Sequence, residues 1–173
     1  KDIDLFKEMD QYQLQYIEQP LGEEDIVDHA VLQKEIETPV CLDESVVSYE
    51  AAEAAIRRGS CKVINIKSSR CGGVYEGKRI HDLCVAHGIP VWCGGMTELG
   101  IGRAQNVSFA SLPGFTELAH DVAAANRYFD EDITSPMVDI TDRCTIIVPD
   151  EDNGIRYEVD EKQIDKMEAG HWI

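Results

Sequence analysis

Short apolar runs and amphipathic segments alternate along this 173-residue chain, and this alternation constrains the fold more than any other feature. The segments between the runs carry apolar residues at the three-to-four-residue spacing of a helix. Strands that alternate with helices form a parallel sheet with both faces covered. The pattern therefore predicts an α/β fold, with five strands over 15–21, 40–45, 62–68, 90–94 and 115–118.

The ends of the predicted helices carry recognisable signals. Ser48 is a candidate N-cap for a helix over 49–58, and Gly59 follows that helix in the C′ position, which favours glycine. Further helices are predicted over 1–13, 23–37, 77–87 and 101–111.

Two kinds of parallel sheet fit this pattern, a doubly wound open sheet and part of a (β/α) barrel. A Gly-x-Gly-x-x-Gly turn after a strand would favour a dinucleotide-binding open sheet, and the sequence contains none. A barrel makes a sharper prediction, because it places its chemistry at the carboxyl ends of successive strands.

The charge excludes two classes of partner. The chain has 33 acidic and 16 basic side chains, a formal charge of −17, so it is expected to be repelled by nucleic acid and by anionic membranes. No apolar run approaches the roughly 18 residues that span a bilayer.

The six cysteines form no Cys-x-x-Cys pair, which favours free thiols and a cytoplasmic location.

Three ionisable residues stand at the ends of successive predicted strands. Glu18, Asp43 and Lys67 are 25 and 24 residues apart, close to the length of one βα unit in a barrel of about 250 residues. Two carboxylates at one rim favour Mg²⁺, and a lysine beside them suits removal of a proton next to a substrate carboxylate. Taken singly, each residue also fits a helix cap or an exposed strand end.

Four segments carry a family resemblance. YIEQPL, CLDES, INIKSSRCGG and GGMTELGIGR resemble signatures of the enolase superfamily in its muconate-lactonizing-type subgroup. Within that subgroup the chain is most similar to the o-succinylbenzoate synthase / N-succinylamino acid racemase family. The resemblance implies a partial (β/α)₇β barrel with strands four to eight, in which an N-terminal capping domain and the first strands precede Lys1. Residues 1–148 would be barrel, and 149–173 a tail that returns to the capping domain.

The resemblance also implies roles for particular residues. Glu18 and Asp43 would be ligands of Mg²⁺ or Mn²⁺, and Lys67 the acid/base group. Glu44, beside the metal ligand, and Asn65, on the same strand face as Lys67, would orient the site.

A second set of residues would contact the substrate. Gly95, Met96 and Thr97 follow the seventh barrel strand and would line the pocket. Asp121 is a further candidate, although its loop reads Ala-His-Asp where the family commonly has Pro-Gly-Asp.

The implied reaction is abstraction of the α-proton of a small carboxylate substrate. Its outcome would be dehydration to o-succinylbenzoate in menaquinone biosynthesis, racemisation of N-succinylamino acids, or both. In the racemisation Lys67 would work one face of the α-carbon, and in the dehydration it would mainly stabilise the enediolate as a cation while a partner lysine transfers the proton. The family's second lysine and first metal-binding Asp would precede Lys1, so we expect the chain alone to be inactive. It would need the missing N-terminal part or homo-oligomer contacts.

Three alternatives remain open at this point. The parent could be another cycloisomerase or epimerase of the same subgroup, or a Schiff-base aldolase-type barrel that uses Lys67 as nucleophile. The chain could also be a non-catalytic fragment.

Overall fold

The computed structural model describes residues 2–148 and 157–167, which pack as two compact units. The first unit contains residues up to 94 together with 113–120, and the second contains 95–112 and the residues from 121 onward. Much of the predicted tail, 149–156 and 168–173, lies outside the described residues, so the assignment of 149–173 to a returning tail stays a prediction.

The first unit alternates strands and helices, as the sequence predicts. Its strands are short, and the helices between them run about three turns. In chain order the elements are α1 (Asp2–Met9), β1 (Ile17–Glu18), α2 (Ile26–Glu35), β2 (Val40–Leu42), α3 (Tyr49–Arg58), β3 (Val63–Ile66), α4 (Val74–Ala86) and β4 (Val91–Cys93).

The four strands form one parallel sheet in chain order, β1-β2-β3-β4. The register pairs Glu18 with Cys41, Leu42 with Ile64, and Ile66 with Cys93. Because every strand runs in the same direction, their carboxyl ends meet along one rim. The α/β class and the parallel sheet are therefore confirmed, and the sheet arranges the strand-end residues as a barrel rim requires.

Local capping explains where α3 begins and ends. The Ser48 hydroxyl accepts a hydrogen bond from the Ala51 backbone N–H at 3.2 Å, and Gly59 ends the helix in the left-handed region with φ of 73°. Both predictions are confirmed. Helix α4 begins at Val74, three residues earlier than predicted, because the turn at Gly72 and Gly73 takes positive φ and ends directly before it.

One apolar cluster of the first unit lies on the same face of the sheet as Glu18 and Asn65, whose register partners Cys41 and Trp92 belong to it. Cys41, Val63 and Trp92 form one buried cluster, and the Trp92 indole N–H donates to the Cys41 sulfur at 3.4 Å. Tyr16 and Leu118 pack against this cluster from its edge. Three neighbouring strands thus share one core.

The predicted fifth strand over 115–118 is wrong, since residues 115 and 116 have no regular secondary structure and residues 117 and 118 form a bend. It follows Pro113, which lacks a backbone N–H, and Gly114, whose φ is 109°. Phe115 is instead held by its ring, which lies 4.7 Å from the His81 ring and 5.3 Å from the His120 ring between centroids. Side-chain packing, rather than a backbone ladder, fixes these residues.

The second unit contains α5 (Gly100–Ala110), β5 (Thr134–Ser135), β6 (Glu158–Val159) and α6 (Glu161–Met167). Strands β5 and β6 pair antiparallel. Ala104, Val107 and Val138 form the buried cluster of this unit. Among the described residues, no helix is both long and apolar enough to cross a bilayer.

Candidate active site

The three strand-end residues predicted from the sequence come together at the rim of the first unit. Glu18 is the last residue of β1, Asp43 directly follows β2, and Lys67 directly follows β3. The Lys67 Nζ donates to Asp43 Oδ2 at 2.8 Å. The regular spacing in the sequence therefore corresponds to direct contact between a carboxylate and an amine.

Asp43 is the centre of a buried ionic cluster. Its side chain is 4% exposed, and Lys67 and Arg70 bind its two oxygens from one side each. Arg70 reaches Asp43 from the turn after β3, where its backbone N–H donates to the Lys67 carbonyl at 3.0 Å. Sequence reasoning missed Arg70, although it stands three residues after the lysine, because that spacing alone does not identify its partner.

Asn65 binds the second carboxylate of the site, that of Glu18. Its Nδ2 donates to Glu18 Oε1 at 3.1 Å, and the whole residue is buried within β3. Its Oδ1 has no hydrogen-bond partner among the described residues. The predicted proximity of Asn65 to the site is thus seen as a direct contact with Glu18.

Burial raises the pKa of the Glu18 carboxyl above its usual range. The hydrogen bond from Asn65 opposes this shift, and the negative charges of Asp43 and Glu44 add to it. Negative charge at Glu18 is therefore only partly compensated by the residues around it. A cation placed beside this carboxylate would favour its ionised form.

Gln19 shapes the loop that carries Asp43. Its Oε1 accepts from the backbone N–H groups of Asp43 at 2.9 Å and Ser45 at 3.3 Å, and its Nε2 donates to Ser45 Oγ at 2.8 Å. The sequence places Gln19 beside Glu18 but carries no signal of this role, because its partners lie more than twenty residues away.

Gly94 leaves room for the lysine. A Cβ built on Gly94 would stand 2.7 Å from Lys67 Cε and 2.7 Å from Asn65 Nδ2, and closer still to Asn65 Oδ1. Only a residue without a side chain fits here, since real Cβ contacts are never this short. Two adjacent glycines at the end of a predicted strand were the signal that could have identified this position.

The rim opens onto an acidic pocket of about 580 Å³ lined by Glu18, Gln19, Glu23, Asp43 and Glu44. Carboxylate oxygens are the donors that Mg²⁺ prefers. Within 2–148 and 157–167, no group of three or more His, Cys, Asp and Glu side chains is placed to hold a metal ion. Glu18 and Asp43 therefore have suitable donor chemistry as a pair, and a cation held by them would need further ligands.

The residues predicted to contact substrate lie in the second unit. The Gly95 backbone N–H donates to the Asp121 carbonyl at 2.7 Å, and a Cβ on Gly95 would stand 2.6 Å from that oxygen. Asp121 therefore contacts Gly95 through its backbone. The side chains of Met96 and Thr97 are exposed. Their contact with substrate stays a prediction.

Comparison with known proteins finds relatives that carry two different names, o-succinylbenzoate synthase and N-succinylamino acid racemase. An o-succinylbenzoate synthase from Geobacillus stearothermophilus is 50% identical over 165 residues, which are 95% of this chain and 43% of the relative. An N-succinylamino acid racemase from Amycolatopsis is 55% identical over 75% of this chain and 35% of the relative. The chain thus spans less than half the length of the curated relatives it matches.

A solved structure gives the same result. A crystal structure of an enolase superfamily member from Listeria innocua is 43% identical, with a TM-score of 0.89 over 95% of this chain and 44% of that one. The sheet described above is accordingly part of an enolase-type barrel. The family model described as enolase C-terminal domain-like matches residues 1–163. The strand-end acids and the lysine lie within these matched residues. The chain therefore belongs to the enolase C-terminal domain-like family.

Proposed function

We propose that this chain is part of a divalent-metal-dependent enzyme that abstracts the α-proton of a small carboxylate substrate. The observation that carries the proposal is the contact of 2.8 Å between Lys67 Nζ and Asp43 Oδ2 at neighbouring strand ends. It places an acid/base group directly beside a candidate metal ligand. The relatives named synthase and racemase support the proposal.

In this proposal Lys67 works on one face of the α-carbon. In the racemisation it removes the α-proton as the neutral amine and holds it at Nζ, and in the dehydration it stabilises the developing negative charge as a cation. A general base has to lie within hydrogen-bond reach of the proton it takes, and strand β3 fixes Lys67 at the rim for that purpose. Asp43 orients the amine, and Arg70 holds the second oxygen of Asp43. The neighbouring Gly94 leaves space for the lysine stem.

Glu18 and Asp43 would hold the metal, Mg²⁺ or Mn²⁺, together with ligands beyond this pair. Asn65 fixes one Glu18 oxygen at 3.1 Å, which leaves the other oxygen for a cation. When bound, such an ion stabilises the negative charge that develops on the substrate carboxylate. Dehydration to o-succinylbenzoate and racemisation of N-succinylamino acids both begin with removal of the α-proton. The family's second lysine would take it in the dehydration and Lys67 would take it from its own face in the racemisation, so the proposal covers their shared first step.

The test uses the natural protein that contains these residues, with Mg²⁺ and each of two probes. One measurement is conversion to o-succinylbenzoate, and the other is exchange of the α-proton of an N-succinylamino acid in D₂O by NMR. We expect activity in at least one assay, and its loss with EDTA and in Lys67→Ala. Lys78→Ala is the matched control, because Lys78 is half exposed and pairs with Asp82 on the surface of α4.

Two results would contradict the proposal. Activity that survives EDTA, with borohydride trapping of a carbonyl substrate on Lys67, would indicate Schiff-base chemistry. Unchanged activity in Lys67→Ala would exclude this lysine from the reaction and favour a non-catalytic role for the chain.

A further inference from the structure

The loop between β4 and α5 has its backbone held at two successive residues. We call residues 95–97 the substrate loop. The Gly95 backbone N–H donates to the Asp121 carbonyl at 2.7 Å, and the Met96 backbone N–H donates to Glu98 Oε2 at 2.8 Å. The Met96 side chain is nevertheless 44% exposed. The loop therefore combines a fixed backbone with accessible side chains.

Glu98 connects this loop to helix α5 through two further groups. Its Oε1 accepts from Asn106 Nδ2 at 2.9 Å, and its backbone carbonyl accepts from Arg103 Nη2 at 2.5 Å. Asn106 and Arg103 are 3% and 1% exposed, so both are fixed within the packing of α5. Because Glu98 is bonded to two buried residues of α5, it holds the Met96 amide at a fixed position relative to that helix.

The chemistry at position 98 requires two acceptors. The two groups that face the Glu98 carboxylate, the Met96 N–H and the Asn106 amide N–H, are both donors. A carboxylate accepts with both oxygens, whereas a glutamine accepts with one atom and donates with the other. Glutamine would therefore leave one of these donors facing another donor.

We propose that Glu98 is a positioning residue for substrate binding, which holds the substrate loop in its binding conformation through the Met96 amide. The inference rests on the proposed function, since it takes the loop to contact the substrate. Glu98 itself does not touch the reacting atoms in this account. Removing the Glu98 carboxylate should weaken substrate binding by the same amount in the ground state and in the transition state. KM should therefore rise, and kcat should change less.

The test compares four forms of the natural protein with Mg²⁺ and an N-succinylamino acid or the o-succinylbenzoate precursor as probe. They are wild type, Glu98→Gln, the double variant Glu98→Gln with Asn106→Asp, and the control Glu117→Gln, which removes a charge from an exposed position. In the double variant, the glutamine amide donates to the new carboxylate and its oxygen still accepts from Met96. The exchanged pair restores the hydrogen bond between positions 98 and 106 and keeps an acceptor for the Met96 N–H.

We expect Glu98→Gln to raise KM about tenfold or more, since a hydrogen bond to a charged group is lost, with kcat changed by less than about threefold. The double variant should return KM to within about threefold of wild type. Hydrogen exchange of the Met96 amide should accelerate in Glu98→Gln and slow again in the double variant. That measurement needs no substrate, and a residue that only stabilised the fold would not produce this KM pattern.

The possible failures are distinguishable. Wild-type turnover with an unchanged KM in Glu98→Gln overturns the inference and leaves the proposed function intact. Absence of wild-type turnover on both probes overturns the proposed function, and the inference falls with it. If Glu98→Gln does not fold, Glu98→Ala replaces it, because it removes the acceptor of the Met96 N–H without placing a donor there. A KM increase smaller than about threefold with unchanged exchange of the Met96 amide would then overturn the inference.

Discussion

Gly94→Ala adds one methyl group to the most crowded point of the candidate site. The new Cβ would stand 2.7 Å from Lys67 Cε and 2.7 Å from Asn65 Nδ2. Carbon atoms pack at about 3.5–4.0 Å, so the overlap is about 1 Å in each direction. Asn65 is fully buried and bonded to Glu18, so it cannot move away without breaking that bond. The contact with Asn65 Oδ1 would be shorter still, so both Asn65 and the lysine stem have to shift.

This overlap has two measurable consequences. Overpacking of this kind costs about 1–3 kcal/mol of stability. A displacement of about 1 Å in a catalytic group can reduce the rate about 100-fold. We therefore expect Gly94→Ala to lower the free energy of unfolding by about 1–3 kcal/mol and kcat by about 100-fold.

Urea unfolding and Mg²⁺-dependent α-proton exchange measure these two effects on the natural protein. The matched control is Gly22→Ala, because a Cβ on Gly22 has nothing within 4 Å and its φ is not positive. Gly94→Ala with the stability and kcat of Gly22→Ala would refute the reasoning. It would show that the lysine stem and Asn65 can absorb a methyl group without losing their positions.

Three further predictions concern stability and reactivity. Asp43→Asn should cost about 3–5 kcal/mol in urea unfolding with EDTA present, because it leaves the largely buried charges of Lys67 and Arg70 without their carboxylate. His120 has its pKa lowered from 6.5 by burial, and its Nδ1 accepts a backbone N–H, so the folded state favours the neutral ring. Its contribution is present above pH 6.5 and is lost as the pH falls toward the lower folded pKa, so His120→Gln should show a flatter stability profile over that window. Cys144 is exposed while the other five cysteines are buried, so Cys144→Ser should remove one fast-reacting equivalent of thiol toward DTNB.

Each of these has a clear contrary outcome. An Asp43→Asn protein as stable as wild type would mean that the two cations find other partners. Identical pH profiles for wild type and His120→Gln would mean that the ring does not titrate between the two states. An unchanged count of fast thiols in Cys144→Ser would place the reactive cysteine elsewhere.

Much of the fold could be predicted because its signals are local. The cap at Ser48 and the C′ glycine at Gly59 act within one helical turn of their partners, so the residues alone indicate them. The segment over 115–118 shows the limit of such signals. Four residues with apolar character satisfy a strand pattern, but ring packing against His81 and His120 fixes Phe115 instead.

Part of the candidate site could likewise be predicted from the sequence, and part could not. The sequence determined which ionisable residues end each strand, and the parallel sheet alone brings Glu18, Asp43 and Lys67 to one rim. The sequence did not determine which of these side chains contact each other. The Asn65–Glu18 bond joins residues 47 apart, and the Arg70–Asp43 pair joins residues 27 apart.

Such contacts depend on strand register and side-chain direction, which no local pattern encodes. The same holds for Gly94, whose lack of a side chain matters only because Lys67 and Asn65 of the neighbouring strand lie against it. The sequence by itself determined the order of the first four strands and of the helices around them, and which ionisable residues end the first three strands, because those follow from periodicity and capping within a few residues. The tertiary structure decided the pairings, because hydrogen bonds and van der Waals contacts act only over a few ångströms and the fold alone brings distant residues that close.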